Sequence, residues 1–213
     1  MRVVVALLLL AGPSSAGTVT GRVELLDKGG KRATDLSDVV VYLEGAKARP
    51  QAGRATISMR AKAFLPHVLV VPVGSTVEFP NEDSILHNAF SLSGGNRFDL
   101  DLYKKPRSGS FTFQHPGIVR IYCNIHPQMS AVVVVRDNPF FAKATRDGAF
   151  SIDGVPAGRY TLRAWHERGA EVESEIVVPA TGQAEASLTL DASRYRREQH
   201  KNKFGKDYKD EKY

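Results

Sequence analysis

The chain of 213 residues has one cysteine, one tryptophan and three methionines. A single cysteine excludes an internal disulfide. No apolar run is long enough for an ordinary membrane span; the longest, residues 3–11 at the N-terminus, is too short. Glycine and proline, 18 and 11 residues, follow no collagen-like period, and 42% hydrophobic against 24% charged residues is an ordinary globular balance. A collagen, a wholly disordered chain and a polytopic membrane protein are excluded. The length suggests one large domain or two modest ones.

The short apolar run has its own explanation. Arg2 supplies a positive start, 3–11 the apolar stretch, and Ser14-Ser15-Ala16 a small-residue cleavage site before Gly17, so residues 1–16 read as a secretory signal. The competing reading is a buried strand or short helix that begins the chain. A cleaved signal predicts a periplasmic or otherwise exported protein, in a compartment where disulfides are permitted. There a lone Cys123 should be buried, paired with another chain or bound to a metal.

Charge is uneven. The chain carries +6, and residues 192–213 hold eight Lys/Arg against four Asp/Glu. Without Arg2 and this +4 segment the body stands near +1. The segment has almost no aliphatic residues and no apolar period, which predicts a basic tail that is disordered or a frayed helix. It would be a solvated tail, or one that touches an acidic partner or an anionic membrane surface. Nucleic acid is not expected as a partner of an exported protein with a neutral body.

Nearly every other segment reads as a strand: 18–25, 39–43, 67–73, 75–79, 110–113, 118–122, 131–136, 149–152, 159–165, 171–178 and 184–190. They are rich in Val, Ile, Thr, Tyr and Phe, several alternate, and Gly, Pro, Asn and Asp punctuate them. No helical apolar period persists for three turns. Short strands with such turns predict an all-β fold of sandwich or barrel type.

Residues 145–162, with the turns Arg146-Asp147-Gly148 and Gly154-Val155-Pro156-Ala157-Gly158, resemble the carboxypeptidase regulatory-like (prealbumin-like) β-sandwich. That resemblance implies two earlier strands, found far upstream as Gly21-Arg22-Val23 and residues 39–45. Residues 17–48 and 139–191 are therefore expected to form one sandwich, interrupted by a second unit at 52–137. The alternative gives the early strands to that second unit.

Chemistry concentrates at Cys123-Asn124-Ile125-His126-Pro127-Gln128-Met129, between two expected strands, with His87 thirty-six residues upstream. Two imidazoles, one thiolate and a weak axial thioether describe a blue-copper site. Sulfur favours Cu(I) and imidazole suits Cu(II), so the mixture holds either state with little rearrangement.

Residues 73–79, His87-Asn88 and 116–123 resemble the cupredoxins, and Cys-x-x-His-Pro-x-Met has the short spacing of amicyanin. The resemblance covers about residues 57–136 and implies a Greek-key β-sandwich. It implies His87, Cys123 and His126 as equatorial copper ligands, Met129 as the axial one, and Asn88 as the residue that orders the cysteine loop. It also implies an electron port at His126 through an apolar patch, here Ile85, Leu86, Ile125 and Pro127. One copper ion cycling between Cu(II) and Cu(I), and a redox protein partner such as a cytochrome or dehydrogenase, follow from the same resemblance. The extra sandwich, the tail and the polar stretch 91–106 depart from amicyanin, and methylamine oxidation is not inferred.

The plainer readings are a buried cysteine, packed imidazoles and a core methionine. Structural zinc fits poorly with one thiolate and a thioether. His67 and His115 read as structural or exposed, His166 as solvated or, if the domains fold together, near the 123–129 loop, and His200 as part of the tail. Glu82 and Asp83, close before His87, read as an acidic turn, with tuning of the site's potential or donation to copper as the alternative. The expected function is single-electron transport without catalysis, since no second metal-ligand cluster is visible. The alternatives are copper binding, delivery or sensing with the same ligands, and a metal-free adhesion or carbohydrate-binding sandwich.

Overall fold

Two runs of the chain are apolar at consecutive rather than alternate positions: Val39-Val40-Val41-Tyr42-Leu43 and Ala131-Val132-Val133-Val134-Val135. Successive side chains of a strand point to opposite faces, so such runs belong where both faces are covered. The computed structural model describes residues 16–196 and 199–208, so the signal expected at 1–16 lies outside the described residues except for Ala16. In it, all ten positions are at most 3% exposed. They form the strands Val40–Glu44 and Ser130–Arg136, apart from Val39, which precedes the first.

The protein is all-β, with two 3-10 turns. Four larger sheets are stacked through three apolar clusters. In the first sheet, Ala16–Leu26 runs between Ala149–Pro156 (antiparallel) and Gln183–Asp191 (parallel). In the second, Phe141–Lys143, Val40–Glu44, Gly158–Trp165 and Val172–Val178 lie in that order. These two sheets enclose a core that includes Val19, Val23, Leu25, Val41, Leu43, Leu162 and Leu190. Strands that precede and follow residues 54–136 in sequence thus share the same two sheets.

The intervening stretch builds the other pair. One sheet orders Val68–Pro72, Ser130–Arg136, Gly117–Tyr122, Phe90–Ser91 and Phe98–Asp99; the other orders Ser108–Thr112, Thr76–Pro80 and Arg54–Thr56. Between them lie Ile57, Val77, Phe79, Phe113, Ile121, Val133 and Val135, with Cys123 and Met129 at one end. Burying each large side chain contributes roughly 1.5–3 kcal/mol.

The third cluster joins the two pairs. Val40, Tyr42 and Trp165 from one side meet Val68, Val132 and Val134 from the other. The Arg136 guanidinium sits 3.6 Å from the Tyr42 ring centre. Lys143 Nζ donates to Val68 O (2.8 Å) and pairs with Asp38 (3.1 Å). Buried Asn138 pins the returning chain by donating to Leu43 O at 2.9 Å and accepting from Phe140 N at 3.0 Å.

His67 Nε2 and Glu167 Oε1, 2.9 Å apart, add an ion pair across the same junction. It lies in a cleft of about 470 Å³ that Arg120, Arg168, Tyr195 and His200 also line. The bond to Glu167 raises His67 above its ordinary 6.5 despite burial, with Asp38 adding to the pull. The same bond lowers Glu167 below 4.5 against burial, assisted by His166 and Arg120. His67's contribution is complete below pH 6.5 and fades as pH rises through its raised value. Glu167's is present above pH 4.5 and is lost as pH falls through its lowered value. The melting-temperature gap between wild type and Glu167→Gln should therefore be widest between pH 4.5 and 6.5 and close at higher pH. It should correspond to less than about 1 kcal/mol, because both side chains are partly solvated. A gap that did not vary with pH would contradict this assignment.

The basic segment expected to be a disordered tail is different. Ala192 N donates to Leu26 O at 2.8 Å, Tyr195 packs on the first core, and residues 199–208 lie against the 123–129 loop. Charge counting overlooked its aromatic residues, which supply contact area that a polar tail lacks. His166, expected in solvent, is 6% exposed.

Candidate metal centre

Gly117–Tyr122 and Ser130–Arg136 pair with Tyr122 opposite Ser130, which leaves residues 123–129 as the loop of a hairpin. The loop is tied internally by Cys123 N to Met129 O (3.3 Å) and Met129 N to His126 O (2.9 Å). Its turn sends Cys123 and Met129 into the core, both fully buried, and leaves His126 half-buried at the rim.

His87 arrives from a different segment. Its backbone exchanges two hydrogen bonds with Tyr103, N to O at 3.0 Å and O to N at 2.9 Å. Tyr103 Oη donates to Phe79 O at 2.6 Å, and Asn81 Nδ2 donates to Tyr103 O at 2.8 Å and to Ile85 O at 3.0 Å. Every polar group of this buried corner thus has a partner, as burial demands.

His87, Cys123 and His126 converge, each offering a ligand atom within 4.8 Å of the others. His87 Nδ1 lies 3.0 Å from His126 Nδ1, and Cys123 Sγ lies 3.7 Å from the same His126 nitrogen. No other such cluster of His, Cys, Asp or Glu is found among the described residues. Burial pushes the Cys123 thiol up, against the backbone hydrogen bonds that favour its charge. Burial also pushes His126 down, helped by the facing His87. Two imidazole nitrogens turned toward each other beside a buried sulfur make a cation site, because a cation satisfies both lone pairs and the thiolate at once. The donor set, mixed soft sulfur and imidazole nitrogen, fits copper.

Asp83 is not among these ligands. Its Oδ2 accepts from His87 Nε2 at 2.8 Å, and its carboxylate also accepts the N–H groups of Ala61 (2.8 Å) and Lys62 (3.0 Å). Burial raises its pKa, but the Lys62 amide, the His87 ring and the Ala61 amide outweigh it and hold Asp83 at about 2. An ionised Asp83 takes the proton-bearing Nε2 of His87 and so presents Nδ1, with its lone pair, to the cluster. Of the two roles open to Asp83, a plain acidic turn or a neighbour that acts on the site, the contact with His87 fits the second. A carboxylate four residues before His87 is the signal the sequence carries for it.

Asn88 is buried and bridges. Its Oδ1 accepts from Asn124 N at 2.7 Å, directly after Cys123, and its Nδ2 donates to Asp99 at 3.0 Å. Met129 shares the core cluster of Cys123. Ile85 and Leu86 are exposed at 39% and 44%, whereas Ile125 and Pro127 are half-buried. His67 lies at the junction of the two sheet pairs, paired with Glu167, and His166 is buried. His115 sits instead beside Gly95, at the far end of the sheet from the 123–129 loop.

No family model and no curated protein matches the chain. Among solved structures, a purple cupredoxin from Nitrosopumilus maritimus is 26% identical over 38% of this chain and 99% of its own, with a TM-score of 0.35. A reduced amicyanin variant is 25% identical over 45% of this chain and 98% of its own, TM-score 0.38. A copper-containing nitrite reductase from Thermus scotoductus SA-01 is 34% identical over 43% of this chain but only 24% of its own, TM-score 0.37.

Proposed function

We propose that this chain is an exported copper protein of the type 1 class that carries single electrons between redox partners. The observation that supports it most is the convergence of His87 Nδ1, His126 Nδ1 and the buried Cys123 sulfur from two separate segments. His87, Cys123 and His126 would hold the ion, with the Met129 thioether as a further donor, and copper there would supply a one-electron couple between Cu(II) and Cu(I).

The protein's part is to keep that site in one shape. Asp83 orients His87, Asn88 ties the cysteine loop to the strand that follows His87, and Tyr103 locks the segment between them. A site held this firmly changes little when its charge changes, which keeps the reorganisation cost of electron transfer low. His126 is the half-buried ligand, and Ile85, Leu86, Ile125 and Pro127 are the apolar surface that a redox protein would dock against.

In this reading residues 52–137 form the copper domain. Residues 17–48 and 139–191 form one prealbumin-like module around it, supported by the pairing of Ala16–Leu26 with both Ala149–Pro156 and Gln183–Asp191. The module acts as scaffold or docking surface, the protein catalyses no reaction itself, and its place is the periplasm or an equivalent exported location.

Adding Cu(II) to the mature protein should produce an intense thiolate-to-copper absorption band and an EPR spectrum with narrow hyperfine splitting. The bound ion should then accept and return one electron without leaving. A colourless product would refute the site. A coloured site that surrenders its ion readily to a chelator after reduction would favour storage or delivery over transport.

A further inference from the structure

After its last strand the chain comes back to the ligand loop. His200 Nε2 donates to Pro127 O at 2.8 Å, Tyr208 Oη donates to Cys123 O at 2.8 Å, and Lys203 N donates to Asn124 Oδ1 at 3.0 Å. The three contacts fall on the first, second and fifth residues of a seven-residue loop. The loop's own ties, Cys123 N to Met129 O and Met129 N to His126 O, leave those acceptors free.

The segment is itself anchored. His200 stacks on Tyr122 with ring centres 3.8 Å apart and planes at 18°, and Tyr208 meets the His200 ring edge-on at 5.1 Å. Lys203 Nζ pairs with Asp99 at 2.6 Å. Asp99 is the carboxylate that receives Asn88 Nδ2, and Asn88 in turn holds the amide of Asn124. Asn124 is therefore gripped from both sides, its amide by Asn88 and its side chain by the returning chain.

We propose that residues 199–208 are a strap belonging to the metal centre, with Tyr208, His200 and Lys203 as positioning residues. They fix the carbonyls and side chain of the ligand loop and cover one face of the Tyr122 ring beside it. The strap's role in tuning the ion rests on the copper reading above; its grip on the loop does not. Each contact is a net stabilisation of the ordered loop comparable to one hydrogen bond, and the aromatic stack excludes solvent that a bare loop would admit.

The test uses the full chain carrying Tyr208→Phe, His200→Ala, or both, none of which touches a core cluster. With Cu(II) bound, either single variant should lose copper to a chelator about fivefold faster than wild type, the factor of one net hydrogen bond. The hyperfine splitting should widen and the reduction potential should fall, because water beside the site favours the more highly charged oxidised ion. Hydrogen exchange of the amides at 123–129 in the metal-free protein should also accelerate in both variants. If wild type binds copper normally and the variants match it in spectrum, potential and copper loss, the tuning role is overturned. If wild type shows no thiolate–copper band, the copper reading fails by itself, and the exchange measurement still decides the strap. Unchanged exchange at the loop would overturn the strap outright.

Discussion

Replacing Cys123 with serine is expected to remove the thiolate-to-copper band completely and to weaken copper binding by more than about 100-fold. Even partners one step removed from a metal cost 10–100-fold when lost, and Cys123 supplies the only thiolate the chain possesses. A serine hydroxyl stays protonated and is a hard donor, so it can neither give the charge-transfer band nor favour the reduced ion. The substitution also leaves a hydroxyl in a fully buried position, between the apolar core and the two imidazoles. About 1–3 kcal/mol of destabilisation should accompany it, read as a modest fall in the melting temperature of the metal-free protein. Measuring both separates loss of the ligand from loss of the fold. A band that survived in Cys123→Ser would remove Cys123 from the site and with it the type 1 assignment.

The second large effect lies in the other sandwich. Gly21→Ala should destabilise the protein by about 3 kcal/mol, the upper part of the range for forcing extra volume into a packed interior. The reason is space. A Cβ at Gly21 would stand 1.9 Å from the Ala186 carbonyl oxygen and 2.9 Å from the Phe150 ring. Ala16–Leu26 is the middle strand of its sheet, paired on both edges, so the clash cannot be relieved by moving one neighbour. For a protein of this size the cost corresponds to a melting temperature lower by about 10 °C, measurable by circular dichroism. Gly53→Ala is the control, since a Cβ there meets nothing within 4 Å, and it should be nearly neutral. The copper spectrum of Gly21→Ala below its melting temperature should match wild type. Equal melting temperatures for the two variants would refute the pairing of the first strand with residues 183–191.

The legible parts of this protein are those that depend on residues close together in the chain. The all-β character follows from short Val-, Ile- and Thr-rich segments between turn residues, and the structure has that character throughout. Cys123, His126 and Met129 sit in one hairpin loop, so their spacing alone announces a mixed sulfur–imidazole site. His87 is farther away, and only the resemblance of residues 73–79, His87-Asn88 and 116–123 to the cupredoxins points to it in the sequence. Tail composition misled for a related reason. A basic, aliphatic-poor segment reads as solvated, whereas four of its residues, Tyr195, His200, Lys203 and Tyr208, find specific partners on surfaces that only the folded body presents.

By itself, then, the amino-acid order determined the strand-rich architecture and the placing of Cys123, His126 and Met129 in one short loop, because propensity, turn formation and residue spacing are local properties. The tertiary structure alone decided which segments meet. It set residues 16–26 beside 149–156 and 183–191, placed the Asp83 carboxylate against the outer nitrogen of His87, and laid residues 199–208 across the ligand loop. It also turned the two faces of 131–135 toward different cores. Contacts of this kind are made by side chains dozens to more than a hundred residues apart. They are chosen by the packing of whole sheets, whose energy no short stretch of the chain contains.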